Sequence, residues 1–358
     1  MTVEPRVGIV GTGWSGFAPT TKGVSYKELM FEAARRAYAD AGVNPRRDID
    51  SFVCASEDLE EGTSIFDEYV PDQLGAVQRP VHTVASDGLF ALATGVMLIR
   101  SGVANIVSVE AHSKASDLLT PGRLERFAMD PVLNRPLGVS ALAVAGLEMR
   151  RYLHQSGRAE QECAAVASRN REHARSNERA SFADTADLGP LFDPLTREQA
   201  AQSADGCVVM VLAAEGTGAG DPVWVSGVGW SQDAPSIESR DWASAVAARR
   251  AGEMAFRRAE LAPSDVDLAE VDDTFAYKQL QHLDALDLGG IDPDRVNVSG
   301  GALGEGHLHE ANGLARVLAC VERLRVGDAR VGVAQSWRGL PSTSAAVAVL
   351  TTSVGGAS

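Results

Sequence analysis

The chain has 358 residues, 45% of them hydrophobic, and a formal net charge of −15. This length suits two α/β units better than one small domain. The acidic balance argues against nucleic acid or an anionic membrane as the main partner. The amino terminus lacks a basic stretch followed by an apolar one, and no apolar run reaches the ~18 residues of a membrane helix. We therefore expect a cytoplasmic protein without a membrane span.

Strands and helices are predicted to alternate through the first part of the chain. Tyr26–Ala41 has a helical pattern that Gly42 ends. Leu89–Arg100 is apolar on nearly all sides, which predicts a buried helix. The predicted strands are Val7–Val10, Ile49–Cys54 and Ala104–Val109.

A segment from about 114 to 201 interrupts this alternation. It is rich in Arg, Glu, Asp and Pro and lacks strand patterning, so we expect an inserted loop domain. Within it, Met149–Gln155 and Glu160–Asn177 are predicted helices and Glu178–Thr196 is a predicted loop. A strand beginning near Ser203 then returns to the first half.

The second half is predicted to follow the same order. Its predicted helices are Trp242–Glu260 and Gly313–Arg325, and its predicted strands are Leu268–Val271, Arg330–Ala334 and Ala345–Leu350. Alternation of this kind predicts parallel sheets covered by helices.

Part of the sequence is repeated between the halves. Gly11-Thr-Gly13-Trp14-Ser15 recurs as Gly227-Val-Gly229-Trp230-Ser231. Five further pairs lie 225 residues apart: Gly88/Gly313, Leu89/Leu314, Gly102/Gly327, Ala104/Ala329 and Ile106/Val331. The constant offset indicates two copies of one strand–helix unit packed face to face. We predict halves at residues 1–220 and 221–358, with the functional site at their junction.

The stretch from Gly11 to Gly16 also matches the GxGxxG dinucleotide fingerprint. No helix is predicted at Gly13, and no acidic residue stands about 20 residues later at a strand end to hold ribose. We therefore favour glycines that let the chain turn sharply after a strand over nicotinamide binding.

The cysteines Cys54, Cys163, Cys207 and Cys320 all lie in apolar strands or helices. Their spacing matches neither a metal knuckle nor a CxxC pair, which favours buried free thiols. His307-x-His309 lacks a third ligand of suitable spacing, so we expect no metal in this chain.

Four segments, in their order and spacing, resemble the thiolase superfamily over nearly the whole chain. Asn297–His307 is similar to the thiolase Asn-x-x-Gly-Gly…Gly-His-Pro block, and residues 203–206 to its Ser-Asp-Gly-Ala segment. Residues 271–276 resemble its Asn-Glu-Ala-Phe or His-Asp-Cys-Phe block, and residues 84–89 its Val-Cys-x-x-Gly-Leu nucleophile turn. Sterol-carrier and lipid-transfer-type thiolases are the most similar group. The resemblance implies a thiolase-like α/β fold of two duplicated halves, in a layered α-β-α-β-α arrangement with a loop-domain insertion.

The chain departs from thiolases at both catalytic cysteines. Ala85 stands at the nucleophile position, and Ser336 or Trp337 at the second. A methyl group can neither form an acyl-enzyme nor move a proton. Ser86 is a candidate nucleophile if a base lies within reach, and a helix N-cap is the alternative.

The remaining residues resemble the steroid side-chain aldolases of the lipid-transfer-protein group. Members of that group share the thiolase fold, lack the nucleophile, cleave a β-hydroxyacyl-CoA by retro-aldol chemistry, and work with a separate OB-fold/zinc-ribbon subunit. His307 keeps the Gly-His position and is a candidate acid, base or oxyanion donor. Asp272 or Asp273 is a candidate base or orients His307, while either could instead cap a helix. In that group tyrosines stand where this chain has His307 and Asp272.

The glycine-rich loop of Gly301, Gly304 and Gly306, with His309, is the candidate binding segment for a coenzyme A thioester. Glycines let backbone close on a ligand, although His309 and Glu310 could also be a solvated pair at a helix start. Backbone amides at Gly301 or near Gly88 are candidate oxyanion donors.

The resemblance also implies partners. Thiolases form homodimers through a first-half strand, here near Val103–Val109, and the aldolase group implies the OB-fold/zinc-ribbon subunit. Two alternatives stay open beside a lyase. They are a thiolase-type acyltransferase or condensing enzyme, and a non-catalytic CoA-binding subunit of a complex.

Overall fold

A computed structural model describes residues 4–57, 66–119, 126–127, 129–184, 189–234, 236–339 and 342–352. The prediction that the amino terminus lacks a signal peptide concerns a segment whose residues 1–3 lie outside these ranges. The strands are β1 Val7–Ala18, β2 Ser51–Ala55, β3 Val81–Val84, β4 Ile106–Lys114, β5 Pro190–Phe192, β6 Leu195–Thr196, β7 Asp205–Ala214, β8 Val223–Gln232, β9 Leu268–Glu270, β10 Val331–Gly339 and β11 Ser342–Thr351. The α-helices are α1 Tyr26–Ala41, α2 Pro45–Asp48, α3 Pro71–Leu74, α4 Gly88–Arg100, α5 Ala141–Ser156, α6 Glu160–Ala174, α7 Val246–Ala259, α8 Ala276–Ala285, α9 Gly301–Glu305 and α10 Asn312–Arg325.

Nine strands form one sheet in the order β3-β2-β4-β7-β1-β8-β11-β10-β9, and β5 pairs with β6 separately. The expectation of parallel sheets is wrong, because the sheet is mixed. β2 runs parallel to β3 and β4, and β9 runs parallel to β10. The other pairings are antiparallel, since β7 and β11 return beside strands that run the opposite way. In particular, β10 and β11 form a hairpin, which needs no crossover helix.

The helices cover both faces of the sheet. α1 packs on β1 and β7, and α7 packs on β8 and β11. α4 and α10 contact each other on the opposite face, and their apolar residues share one core cluster with β1, β4, β7 and β8. The buried helix that the apolar run predicts is therefore confirmed, with its start at Gly88. No described helix is long and apolar enough to cross a bilayer.

Gly11 and Gly13 lie inside β1, so the predicted sharp turn after a strand is wrong. A Cβ added at Gly13 would lie 2.1 Å from the main-chain oxygen of Ala33 in α1. A Cβ added at Gly229 in β8 would lie 2.1 Å from the main-chain oxygen of Ala251 in α7. The repeated glycines therefore let each outer helix lie directly on its strand.

The strand predicted to pair two protomers is not at an edge of the sheet. β4 is hydrogen-bonded to β2 on one side and to β7 on the other. Pairing through Val103–Val109 is therefore wrong, because these strand groups are already used. The first-half edge strand is β3, whose four residues are all half-buried. The homodimer itself stays a prediction.

Candidate active site

The nucleophile position carries no reactive group. Ala85 follows β3 and is exposed to solvent, and Ser86 is half-buried. The N-cap of α4 is Asp87, whose Oδ1 accepts the Leu89 amide at 2.8 Å. The helix-capping alternative for Ser86 is therefore wrong, because the next residue takes that position.

The amino termini of the two buried helices meet at Asp87. Its second oxygen, Oδ2, accepts the Gly313 amide of α10 at 2.8 Å. A Cβ added at Gly313 would lie 1.9 Å from Asp87 Oδ1, and one added at Gly88 would lie 2.6 Å from Leu314 Cγ. The repeated pair Gly88/Gly313 thus allows the close approach, and Asp87 joins the two halves.

His307 lies in a loop between α9 and α10 that is tied to the start of β7. Its amide donates to Gln202 O at 2.8 Å, and its carbonyl accepts the Ala204 amide at 3.0 Å. The ring is half-buried, and its Nδ1 lies 3.2 Å from Thr274 Oγ1. Burial holds the pKa of His307 well below its usual value, and the nearby His309 and Arg338 lower it further. The imidazole is therefore neutral at neutral pH.

Asp272 is connected to this histidine through two side chains. The carboxylate is fully buried, and it accepts the Thr274 amide at 3.0 Å and Asn312 Nδ2 at 2.7 Å. Burial raises the pKa of Asp272 to about 6, and the amide and hydroxyl of Thr274 oppose the rise. The Asn312 side chain in turn is close enough to raise the pKa of His307. Asp272, Thr274, Asn312 and His307 form one connected group, which we call the His307 network.

Asp273 lies outside this network. Its Oδ1 accepts the Ala302 amide at 2.6 Å, so the carboxylate caps α9. Asn170 Nδ2 donates to its Oδ2 at 2.7 Å. Burial raises the pKa of Asp273 to about 6. The helix-capping interpretation fits this residue, although the helix is α9 and not α8, which follows it in sequence.

The predicted binding glycines approach protein atoms closely. An added Cβ would lie 2.1 Å from Asp273 Oδ2 at Gly301, 2.4 Å from the Ala174 Cβ at Gly304, and 2.6 Å from the Ala204 Cβ at Gly306. Coenzyme A binding at these glycines stays a prediction.

Two of the amides considered as oxyanion donors already have partners. Gly301 N donates to Ser299 Oγ at 3.1 Å, and the amide of Leu89, next to Gly88, donates to Asp87. An oxyanion site at other amides near Gly88 stays a prediction.

A cavity of about 140 Å³ lies beside the predicted binding residue His309. His309 has a φ of +46°, and its Nε2 lies 3.2 Å from Ser203 Oγ. The rings of His307 and His309 are 4.9 Å apart between centroids, so the cavity adjoins the His307 network. Glu310 also lines it but is buried and paired with Arg338, so a solvated His309–Glu310 pair is wrong. The lining residues are Tyr26, Ser113, Lys114, Ala115, Asp117, Leu118, His309 and Glu310.

A buried ion network supports the loop beneath the site. Arg316 is fully buried and pairs with Glu305 and, at 3.3 Å, with Glu270. Ser299 Oγ donates to Glu270 at 2.7 Å and receives a hydrogen bond from Arg316 at 3.0 Å. Burial raises the pKa of Glu270 to about 7. This network fixes the end of β9 against α9 and α10.

The four cysteines are free and buried, as predicted. Cys207 donates to Glu110, Cys320 donates to the Val333 carbonyl, and Cys163 packs in the core between α5 and α6. Among the described residues, none of the contacts found for these cysteines is with the His307 network. Likewise, no group of three His, Cys, Asp or Glu in the described ranges is arranged to hold a metal ion.

Of the predicted catalytic residues, the structure brings together His307 and Asp272 and leaves Asp273 and Ser86 apart from them. The sequence analysis missed Thr274 and Asn312. Thr274 lies inside the segment 271–276, two residues after Asp272, and Asn312 lies five residues after His307, beyond the segment that ends there. The feature that could have identified them is a polar residue a few positions after each candidate catalytic residue.

The fold and site define a thiolase-like protein with alanine at the nucleophile position and the second-half histidine retained. Residues 239–350 match the family model "Thiolase, C-terminal domain". A solved "Ltp2-ChsH2(DUF35) aldolase" chain shares the fold, with a TM-score of 0.80, 21% identity and 98% coverage of both chains. This confirms the expected thiolase-like fold.

Curated relatives extend over most of the chain. An "Acetyl-CoA acetyltransferase" of Methanothermobacter thermautotrophicus is 27% identical, covering 95% of this chain and 98% of the relative. A "17-hydroxy-3-oxo-4-pregnene-20-carboxyl-CoA lyase" of Mycobacterium tuberculosis is 26% identical, covering 87% and 90%. "Sterol carrier protein 2" of Oryctolagus cuniculus is 27% identical, covering 90% of this chain and 66% of its own. Similarity thus extends to both acyltransferases and a lyase.

Proposed function

We propose that this protein is a carbon–carbon lyase that cleaves a β-hydroxyacyl-CoA by a retro-aldol reaction. The observation that carries the proposal is that the same chain has an exposed methyl group at Ala85 and a hydrogen-bonded His307 network. Acyl transfer of the thiolase type needs a thiolate at that helix end. Retro-aldol cleavage needs a base and a stabilised enolate, and it needs no covalent nucleophile.

The His307 network lets the imidazole act as a base because it fixes which ring nitrogen carries the proton. The Thr274 hydroxyl donates to the Asp272 carboxylate, so Thr274 Oγ1 accepts a hydrogen bond from His307 Nδ1–H. The lone pair then lies on Nε2, and the lowered pKa of His307 keeps it unprotonated. Asp272, which is connected to the imidazole through Thr274, stabilises the imidazolium that forms.

In the proposed reaction, His307 Nε2 takes the proton of the β-hydroxyl group. The bond between Cα and Cβ breaks as the hydroxyl carbon becomes a ketone or aldehyde. The electron pair moves into the thioester as an enolate, and Cα then takes a proton from the His307 imidazolium, which regenerates the base and gives acetyl- or propionyl-CoA. Arg338, close enough to lower the pKa of His307, supplies positive charge that favours the enolate.

Two similarities support the substrate class and a partner. The lyase relative is named for a steroid carboxyl-CoA substrate, so we propose a steroid or other bulky acyl chain here. The similar aldolase chain was solved with a DUF35 partner, which supports an OB-fold/zinc-ribbon subunit.

The test is an assay of the purified protein, alone and with a candidate partner subunit, on β-hydroxyacyl-CoA substrates. We expect a shortened acyl-CoA plus a ketone or aldehyde, measured by chromatography and mass spectrometry. His307→Ala removes the base and should lower kcat/KM by at least about a hundredfold. The control is His154→Ala, which changes an exposed histidine of α5 and should keep the wild-type rate.

A full rate in His307→Ala would show that the site is wrongly assigned. If the wild-type protein with its partner cleaves no such substrate, the proposed lyase activity is wrong. A stable acyl adduct on this chain would instead favour the second candidate, an acyltransferase acting through Ser86 or a partner's cysteine. The acetyltransferase relative supports that candidate. Binding of CoA without turnover would favour a non-catalytic subunit.

A further inference from the structure

Asp87 is buried where α4 and α10 begin, and it has no role in the proposed retro-aldol reaction. Its two oxygens accept the Leu89 amide of α4 and the Gly313 amide of α10, each at 2.8 Å. Its side chain is 1% exposed. We propose that Asp87 is a positioning residue that neutralises the amino termini of both buried helices and so withholds them from any anion at residue 85.

The physical basis is the positive end of each helix. Unsatisfied amides and the aligned peptide dipoles of a helix favour a negative charge at its amino terminus. At this junction the charge comes from within the protein, because one carboxylate accepts amides from both helices. A second anion two residues away, at position 85, would meet the negative charge of Asp87 and helix ends that already have partners.

Asp87 also bears on the His307 network. Gly313 follows Asn312, whose side chain donates to Asp272 and lies near His307. Holding the Gly313 amide therefore fixes the first turn of α10, on which Asn312 stands. One carboxylate, that of Asp87, thus acts both on the helix ends near residue 85 and on the position of the His307 network.

Other charged groups face this junction and stay constant in the test. Arg338 attracts Asp87, while Asp272 repels it. Arg338 is itself paired with Glu310 and, at 2.9 Å, with Glu57. Burial raises the pKa of Asp87, and the Leu89 amide, the Ser336 hydroxyl, the Gly313 amide and Arg338 oppose the rise. Because these groups also act on Asp87, only a matched pair of variants isolates its effect on a thiol at residue 85.

The experiment places a thiol at the vacant position and measures its reactivity. Ala85→Cys is exposed, whereas the native cysteines are buried, so iodoacetamide labelling can be followed at one site. The pH dependence of the labelling rate gives the thiol pKa. We expect a value at or above the ordinary ~8.5 in Ala85→Cys. Adding Asp87→Asn should raise the labelling rate at pH 7 by roughly three- to thirtyfold.

Asp40→Asn in the Ala85→Cys background is the matched control. Asp40 also accepts a backbone amide from another element, that of Thr12 at 2.8 Å, but it lies on the surface and should leave the rate unchanged. A thiol pKa below about 7 in Ala85→Cys alone would overturn the proposal, even if Asp87→Asn fails to fold. So would equal labelling rates with and without Asp87. The titration needs no substrate, so it stands even if the lyase assay fails.

Discussion

The two halves use matching strands for different purposes. Asp50 before β2 accepts the amides of Asn105 and Ile106, and Asp267 before β9 accepts the amides of Arg330 and Val331. These equivalent contacts align β2 with β9 residue by residue.

In that alignment, three positions near the strand end differ in chemistry. The first half has Val53, Ala55 and Ser56, and the second half has Glu270, Asp272 and Asp273. All six side chains are buried. The duplicated unit thus retains its packing in both copies, while at these three positions only the second half carries buried acidic groups. Because buried carboxylates need hydrogen bonds and counter-charges, the second half also carries Arg316, Asn312 and Ser299.

The strongest test of the shared packing is a methyl group at the repeated strand glycines. Gly13→Ala and Gly229→Ala each place Cβ 2.1 Å from a helix carbonyl, so the helix must move. We expect each to lower the free energy of unfolding by about 3 kcal/mol, measured by urea unfolding. The control is Gly332→Ala in β10, where the nearest side-chain atoms are 3.5 Å away. A large effect in only one half would break the comparison.

The acidic specialisation of the second half predicts a pH-dependent stability. The pKa of Asp272 rises from 3.8 to about 6 on folding, so the folded state binds more protons between these values. Stability is therefore lost as the pH rises through this interval. We expect wild type to lose about 1.5 kcal/mol more than Asp272→Asn between pH 5 and 7.5. Urea unfolding at both pH values checks this, with Asp40→Asn as the exposed control. Equal losses would show that Asp272 is not the group responsible.

The smallest effect is expected at the repeated helix-end glycines. Gly102 and Gly327 have φ of +75° and +77°, and nothing within 4 Å would contact an added Cβ. Alanine there should cost about 1 kcal/mol in each half through backbone strain alone. Thermal unfolding would measure it, with Gly290→Ala, which has neither a positive φ nor a neighbour within 4 Å, as the control. Unequal costs would mean that the two helix ends have diverged.

Much of the fold follows from local pattern. α1 has the predicted bounds, Tyr26–Ala41, because Ser25 and Glu28 form a capping box and Gly42 adopts a left-handed conformation. β1 is longer than predicted because Gly11 and Gly13 mark a close helix contact, which has the same sequence signal as a turn. The direction of β7 could not be predicted, since it depends on the far end of an insertion of over 80 residues.

The sequence by itself determined the duplication, the thiolase-like fold, the alanine at position 85 and the histidine at 307. These are properties of residue identity and spacing, which a linear pattern contains. Only the tertiary structure decided that Asp272 joins the His307 network while its neighbour Asp273 caps α9, and that Asp87, at the start of α4, accepts the amide of Gly313, 226 residues away in sequence. The reason is that a buried carboxylate acts on whichever donors the fold brings to it, and those donors come from distant segments.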